Sequence, residues 1–196
     1  MTRRSVFVVA VALQVALLGW MVAASERTLA HGVRVVLKVR PVDPIDYMTG
    51  RFINAHPAIG SIDTSLVPRV VAVREDVVSD LPQLTNQRVA VELRQEGALW
   101  VAQRIVDDGA ATPPVAPFLW GRVTDVRGTI VDVEFGLDHF NIPFDAEDPS
   151  ALTRSPDHVV ALVVKVASDG RGVTEDMTID GQPFSAWNTA EKAKRK

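Results

Sequence analysis

The sequence predicts an all-β fold made of two similar β-modules, barrel- or sandwich-like, preceded by one N-terminal transmembrane helix. Three observations predict it. An uncharged apolar run opens the chain. Short valine-rich runs broken by Gly, Pro and Asp fill most of the rest. The pattern of those runs recurs when the chain is shifted by 71 residues.

The apolar run comes first. Val6 to Ala24 holds 19 residues with no charge and one amide, Gln14. As a helix it spans about 29 Å, close to the hydrocarbon thickness of a bilayer. Arg3 and Arg4 precede it, and Glu26 and Arg27 follow it. The excess of positive charge before the run puts the N-terminus in the cytoplasm and the body outside, periplasmic or at the cell surface. Trp20 sits near the far end, where an amphipathic ring suits the interface. A cleaved signal peptide is the competing reading, with Val22-Ala23-Ala24 before Ser25 as the small-residue site. Either reading exports the body. Residues 1–29 are therefore an anchor and its flank, and the bilayer is the first expected partner.

Composition removes several classes of function. The formal net charge is −3 and no basic stripe lies outside the termini, so no nucleic-acid partner is expected. The chain has no cysteine, which excludes disulfides, thiolate catalysis, cysteine zinc sites and a lipidated cysteine anchor.

The body supplies candidate strands at Val33–Val39, Arg51–Asn54, Arg88–Arg94, Leu99–Asp107, Trp120–Arg127, Thr129–Phe135, His158–Ala167 and Gly172–Ile179. In Arg88–Arg94, Val89, Val91 and Leu93 share one face. Glu96-Gly97 and Asp169-Gly170 are turn signals between such runs. Helical pattern is weak, at Asp63–Arg74 and Ala190–Lys196. TPPVAP, Thr112–Pro117, reads as an extended connector. Under the 71-residue shift, VAVELRQEGA from Val89 falls on VALVVKVASDG from Val160, and Gly50-Arg51-Phe52 falls on Gly121-Arg122-Val123. These matches divide the body into a first module, 30–112, and a second, 113–186. Residues 187–196 are expected to be a basic disordered tail.

RPVDPIDYMTGRF, from Arg40, is over-specified for a loop. Pro41 and Pro44 bracket Val42-Asp43. Asp43 before Pro is pushed out of the helical region and suits an N-cap. Pro44 suits the first helical position, and Asp46 suits the positive end of the turn. Gly50 suits the left-handed position that ends a helix. A short helix is expected over Pro44–Thr49. Caps explain both acids, against a reading of Asp43 and Asp46 as paired carboxylates for acid–base or metal chemistry.

PVDPIDYMTGRF also resembles the opening motif of the GDYXXLXY protein family. Three later segments resemble it in the same order: LWGRV at Leu119–Val123, with Gly121; VEFGLDHFNIP at Val133–Pro143, with Phe140 and Pro143; and DGRGVTEDMTIDGQPF at Asp169–Phe184. Where the family reads Gly-Asp-Tyr-x-x-Leu-x-Tyr, this chain reads Gly50-Arg51-Phe52-Ile53-Asn54-Ala55-His56-Pro57. The resemblance implies a bacterial, membrane-anchored, mostly β protein of unassigned activity. It also implies a multi-spanning membrane protein as partner.

Catalytic signals are few. His31, His56, His139 and His158 form no His-x-His or His-x-x-x-His pair, so no metal site and no cofactor is expected. Asp138-His139 is the best candidate pair: in a loop the carboxylate could orient the imidazole as a base. A Ser/Lys pair is a second option, with Lys38 or Lys165 against Ser61 or Ser79. The expected function is an anchored accessory or binding module for a membrane partner. The alternative is an envelope hydrolase or ligand-binding enzyme using Asp138/His139 or a Ser/Lys pair.

Overall fold

The computed structural model describes residues 3–40, 52–67, 69–70, 84–110, 112–115, 117–143, 145–147, 149 and 152–194. Pro41, Asp43, Pro44, Asp46 and Gly50, with the expected helix Pro44–Thr49, lie outside the described residues, as does Ser79.

The opening run forms one helix, α1, Arg3–His31. It is long and apolar enough to cross a membrane, and none of its most apolar stretch is buried by the protein. Trp20 is 72% exposed and Phe7 70%. Only the last turns meet the body. There the Thr28 hydroxyl donates to the Ala24 carbonyl (3.0 Å) and the Gly32 amide donates to the Thr28 carbonyl (2.8 Å). A Cβ on Gly32 would lie 2.5 Å from that carbonyl oxygen, so the exit requires glycine. Strand β1, Val33–Lys38, starts at the next residue. Helix and sheet are thus joined by a single residue.

Three sheets follow among the described residues. β1 opens a four-stranded sheet ordered β1-β10-β11-β12, with β10 Val160–Val166, β11 Gly172–Ile179 and β12 Gln182–Pro183. A six-stranded sheet is ordered β3-β8-β7-β5-β6-β4. Its members are β3 Ser61–Asp63, β4 Arg69–Val70, β5 Arg88–Glu96, β6 Leu99–Asp107, β7 Phe118–Arg127 and β8 Ile130–Glu134. A two-stranded sheet pairs β2, Phe52–Asn54, with β9, His139–Asn141. Most pairings are antiparallel; β4 runs parallel to β6.

The pairings interleave the two halves of the chain. β1 pairs with β10, and β7 pairs with β5. The hairpins β5–β6 and β10–β11 each carry a bulge, at Glu92/Leu93 and Val163/Val164, separated by the same 71-residue offset as the sequence match. One core joins both large sheets: Val35 and Leu37 of β1 cluster with Val89, Val91, Ile105, Leu119, Leu162 and Met177. Alternation predicts the inward face of β5 correctly. Its other face is covered too, because Ala90 packs with Val106 and Phe118, and Glu92 is buried. The Glu92 carboxylate accepts from Arg104 Nε (2.8 Å) and from the terminal nitrogen of the same guanidinium, and from the Val115 amide (2.8 Å). That carboxylate pins the proline-rich connector to the sheet.

Two expectations fail. The helical pattern over Asp63–Arg74 is not realised in its described part, which ends β3, turns at Thr64–Leu66 and enters β4. The tail is not disordered up to Lys194: Phe184–Lys194 forms helix α2. Phe184 is buried and stacks edge-on against Phe140 (centroids 5.8 Å apart, planes at 77°), with Trp187 alongside at 5.8 Å. Those apolar contacts order a segment whose composition alone reads as solvated.

Candidate functional site

The described side chains that converge on chemistry lie around Arg40, where β1 ends and the RPVDPIDYMTGRF segment begins. Three ladders build the site. Val39 bridges to Pro57, and the Arg40 amide donates to the His56 carbonyl (2.9 Å). The β2–β9 pairing continues one residue further, where the Ala55 amide donates to the Asp138 carbonyl (2.7 Å). The β3–β8 pairing sets Ser61 opposite Asp132.

The first cluster is His56 with Asp138. His56 Nδ1 lies 3.1 Å from Asp138 Oδ1. Asp138 is buried, and the His56 side chain is half exposed. With its proton on Nδ1, the imidazole donates to the carboxylate and keeps a lone pair on Nε2, the arrangement of an oriented general base. The expected partner was His139. That residue lies on β9, exposed, opposite Asn54, while Asp138 turns to His56 instead. Adjacent side chains on an extended chain point apart, so Asp138 reaches across to the neighbouring strand.

The second cluster is centred on Asp132. It accepts from the Ser61 hydroxyl (2.7 Å) and from Arg127, with Arg40 Nη1 at 4.0 Å. Burial pushes this carboxyl up, but the Ser61 hydroxyl and the Arg127 and Arg40 charges outweigh burial and hold it below the usual carboxylate range. The same pair raises the Arg127 guanidinium, chiefly through its hydrogen bond to Asp132. Arg40 belongs to both clusters, through its backbone to His56 and through its side chain to Asp132.

The Ser/Lys arrangement is not assembled among the described residues. The Ser61 hydroxyl is committed to Asp132, Lys38 is exposed at the end of β1, and Lys165 sits opposite Arg34 in the β1–β10 register. His158 Nδ1 lies 2.7 Å from Asp180 Oδ2 at the entry to β10, and the Val159 amide donates to the other oxygen (2.8 Å). That backbone bond first, then His158, lowers the Asp180 carboxyl. Asp180 has a positive φ of 51° at the β11–β12 turn, so this pair reads as a turn clamp. No group of three His, Asp or Glu suited to a metal is found among the described residues.

The motif residues among the described ones have structural places. Gly121 lies in β7 against β8. Phe140 joins the aromatic contact with α2. Pro143 opens a turn whose carbonyl accepts from the Ala146 amide (3.0 Å). The next amide, of Glu147, donates to Asn188 Oδ1 of α2 (2.9 Å).

No curated protein and no solved structure matches the chain. The family model described as GDYXXLXY protein matches residues 14–177, from the middle of α1 into β11, and the chain belongs to that family.

Proposed function

We propose that this is a single-pass protein whose β body lies outside the cytoplasm and serves as an accessory or binding module for a multi-spanning membrane partner. One observation carries the reading. The apolar surface of α1 is left uncovered by the body, while its last turns are locked into β1 through Gly32. Such a surface needs lipid or another membrane helix as its solvent. The one-residue joint then holds the body at a fixed angle to the bilayer.

The matched bulges at Glu92/Leu93 and Val163/Val164 support reading the body as two copies of one β-module, 30–112 and 113–186, that exchange their opening strands. Arg3 and Arg4 ahead of the span support a cytoplasmic N-terminus.

Crosslinking in intact cells tests the function. The absence of cysteine allows single-cysteine variants at Phe7 or Leu13 for photo-reactive labels. Capture of one defined multi-spanning protein is the expected result; capture of this chain alone refutes it. Labelling of an Arg94→Cys variant by a membrane-impermeant maleimide in intact cells tests the topology.

The His56–Asp138 contact favours a second reading, an envelope hydrolase with His56 as general base. It requires turnover of activated acyl or phosphoryl esters that is lost in His56→Ala and reduced in Asp138→Asn, with the fold intact. Equal turnover in His56→Ala removes it.

A further inference from the structure

At the junction of α1 with the body lies a cleft of about 760 Å³. One wall is α1 from Trp20 to His31. The other is the turn between β10 and β11, Ala167–Arg171, together with Pro117. Ala23, Ala24, Pro117 and Val166 make much of it apolar. Its charged side chains are Arg27, Arg171 and Asp169. Asp169 Oδ2 accepts from Arg171 Nε at 2.8 Å. A guanidinium has five N–H donors, and that ion pair engages one of them. Two arginines against one already-paired carboxylate leave an excess of positive charge.

The turn is held rather than loose. Trp120 Nε1 donates to the Asp169 carbonyl and the Trp120 amide to the Gly170 carbonyl, each at 3.0 Å. Gly170 has φ +80°, and a Cβ there would lie 2.2 Å from Phe118 Cε2. The Arg171 backbone is therefore positioned before any ligand arrives. Depth matters too. Trp20 and Arg27 are two helical turns apart, about 10 Å along the axis. The uncharged run ends at Ala24, and Arg27, about 4.5 Å further along the helix, falls in the headgroup layer when α1 spans a bilayer.

We propose that the cleft seats an anionic phospholipid from the outer face of the bilayer, with its phosphate between Arg27 and Arg171 and its acyl chains along exposed α1. The proposal rests on the membrane-spanning reading above. A lipid is favoured over free phosphate because the cleft is continuous with the apolar helix and its walls are largely apolar.

The test uses the full chain reconstituted in nanodiscs of phosphatidylcholine mixed with phosphatidylglycerol, followed by native mass spectrometry of the released complex. Phosphatidylglycerol is expected to be retained in preference to phosphatidylcholine. Arg27→Gln or Arg171→Gln should each weaken that preference about fivefold. Both side chains are exposed, and circular dichroism verifies the fold. Ala23→Trp, which fills the cleft and leaves the arginines in place, should give the same loss. Equal retention of the two lipids, or a preference that survives the Arg27→Gln/Arg171→Gln double variant, overturns the proposal. So does displacement of the lipid by millimolar inorganic phosphate, which would assign the cleft to a soluble anion. Carbonate extraction separates the two layers of inference. Loss of the chain from membranes sinks the spanning reading, whereas loss of lipid preference with insertion intact sinks only the headgroup site.

Discussion

Gly121→Ala isolates the packing between β7 and β8. In β7, Gly121 pairs with Val89 of β5 on one side. On the other, a Cβ would meet Val133 Cγ1 at 2.4 Å, the Glu134 carbonyl oxygen at 2.9 Å and Phe135 Cδ1 at 3.0 Å. The Val133 methyl cannot swing freely, because a β-branched side chain is stiff at χ1 and Val133 is buried. The Glu134 oxygen belongs to the main chain of β8, so the two strands must part. Overpacking of this kind costs about 1–3 kcal/mol. Replacing a mid-strand glycine returns about 0.5–1 kcal/mol of backbone entropy. A net loss of about 1–2 kcal/mol remains, which lowers the melting temperature of a domain this size by about 2–8 °C. Thermal unfolding of the full chain in detergent, followed by circular dichroism at strand wavelengths, measures it. Gly172→Ala is the control. Its Cβ would meet only side-chain tips, with Leu119 Cδ2 nearest at 2.7 Å, and a smaller loss is expected. A Gly121→Ala protein as stable as the parent, or one less affected than Gly172→Ala, refutes the reasoning.

Glu92→Gln removes the charge that holds Arg104 and the Val115 amide, and should lower the melting temperature more than Glu96→Gln, whose partner Arg94 is solvent-exposed. Limited proteolysis at 112–117 should accelerate in the first variant only. Asp132 and Asp180 have folded pKa values below their unfolded ones. Their stabilisation is therefore complete above an unfolded pKa of about 3.9 and disappears as pH falls through the folded values. Melting temperature should fall steeply below about pH 4, and Asp132→Asn should flatten that acid limb. Gly32→Val forces a clash with the Thr28 carbonyl and the Val166 backbone. It should increase hydrogen exchange at the β1–β10 pairing while leaving the membrane insertion of α1 unchanged.

Long strands bounded by strong turn chemistry were legible. β6 and β11 begin and end where alternation and the Gly97 and Gly170 turns place them. β3, β9 and β12 were not, because two or three residues carry no period to detect. α2 was legible only in its second half, where the weak helical pattern at Ala190–Lys196 overlaps it, and its first turns were hidden for a different reason. Phe184 and Trp187 sit three apart on one helical face, but their meaning depends on Phe140, more than forty residues earlier. The His56–Asp138 pair joins residues 82 apart in sequence. The sequence singles out His139 beside Asp138, whereas the β2–β9 register is what brings His56 to that carboxylate. The polar cluster at Arg40 depends on three separate backbone pairings, which no local pattern reveals.

The β1–β10 pairing decides which part of the body the helix meets. α1 enters the sheet through β1, and β1 pairs with β10, so the helix is coupled to the second half of the chain although it is continuous with the first. This explains why the β10–β11 turn lies against α1. It also fixes where the Arg40 cluster stands. β1 is six residues long, an advance of about 20 Å, and Arg40 lies two residues beyond it. His56, Asp138 and Asp132 are therefore held at the opposite end of β1 from the helix. The cleft at the α1 junction and the polar cluster thus occupy opposite ends of β1, joined by the β1–β10 ladder.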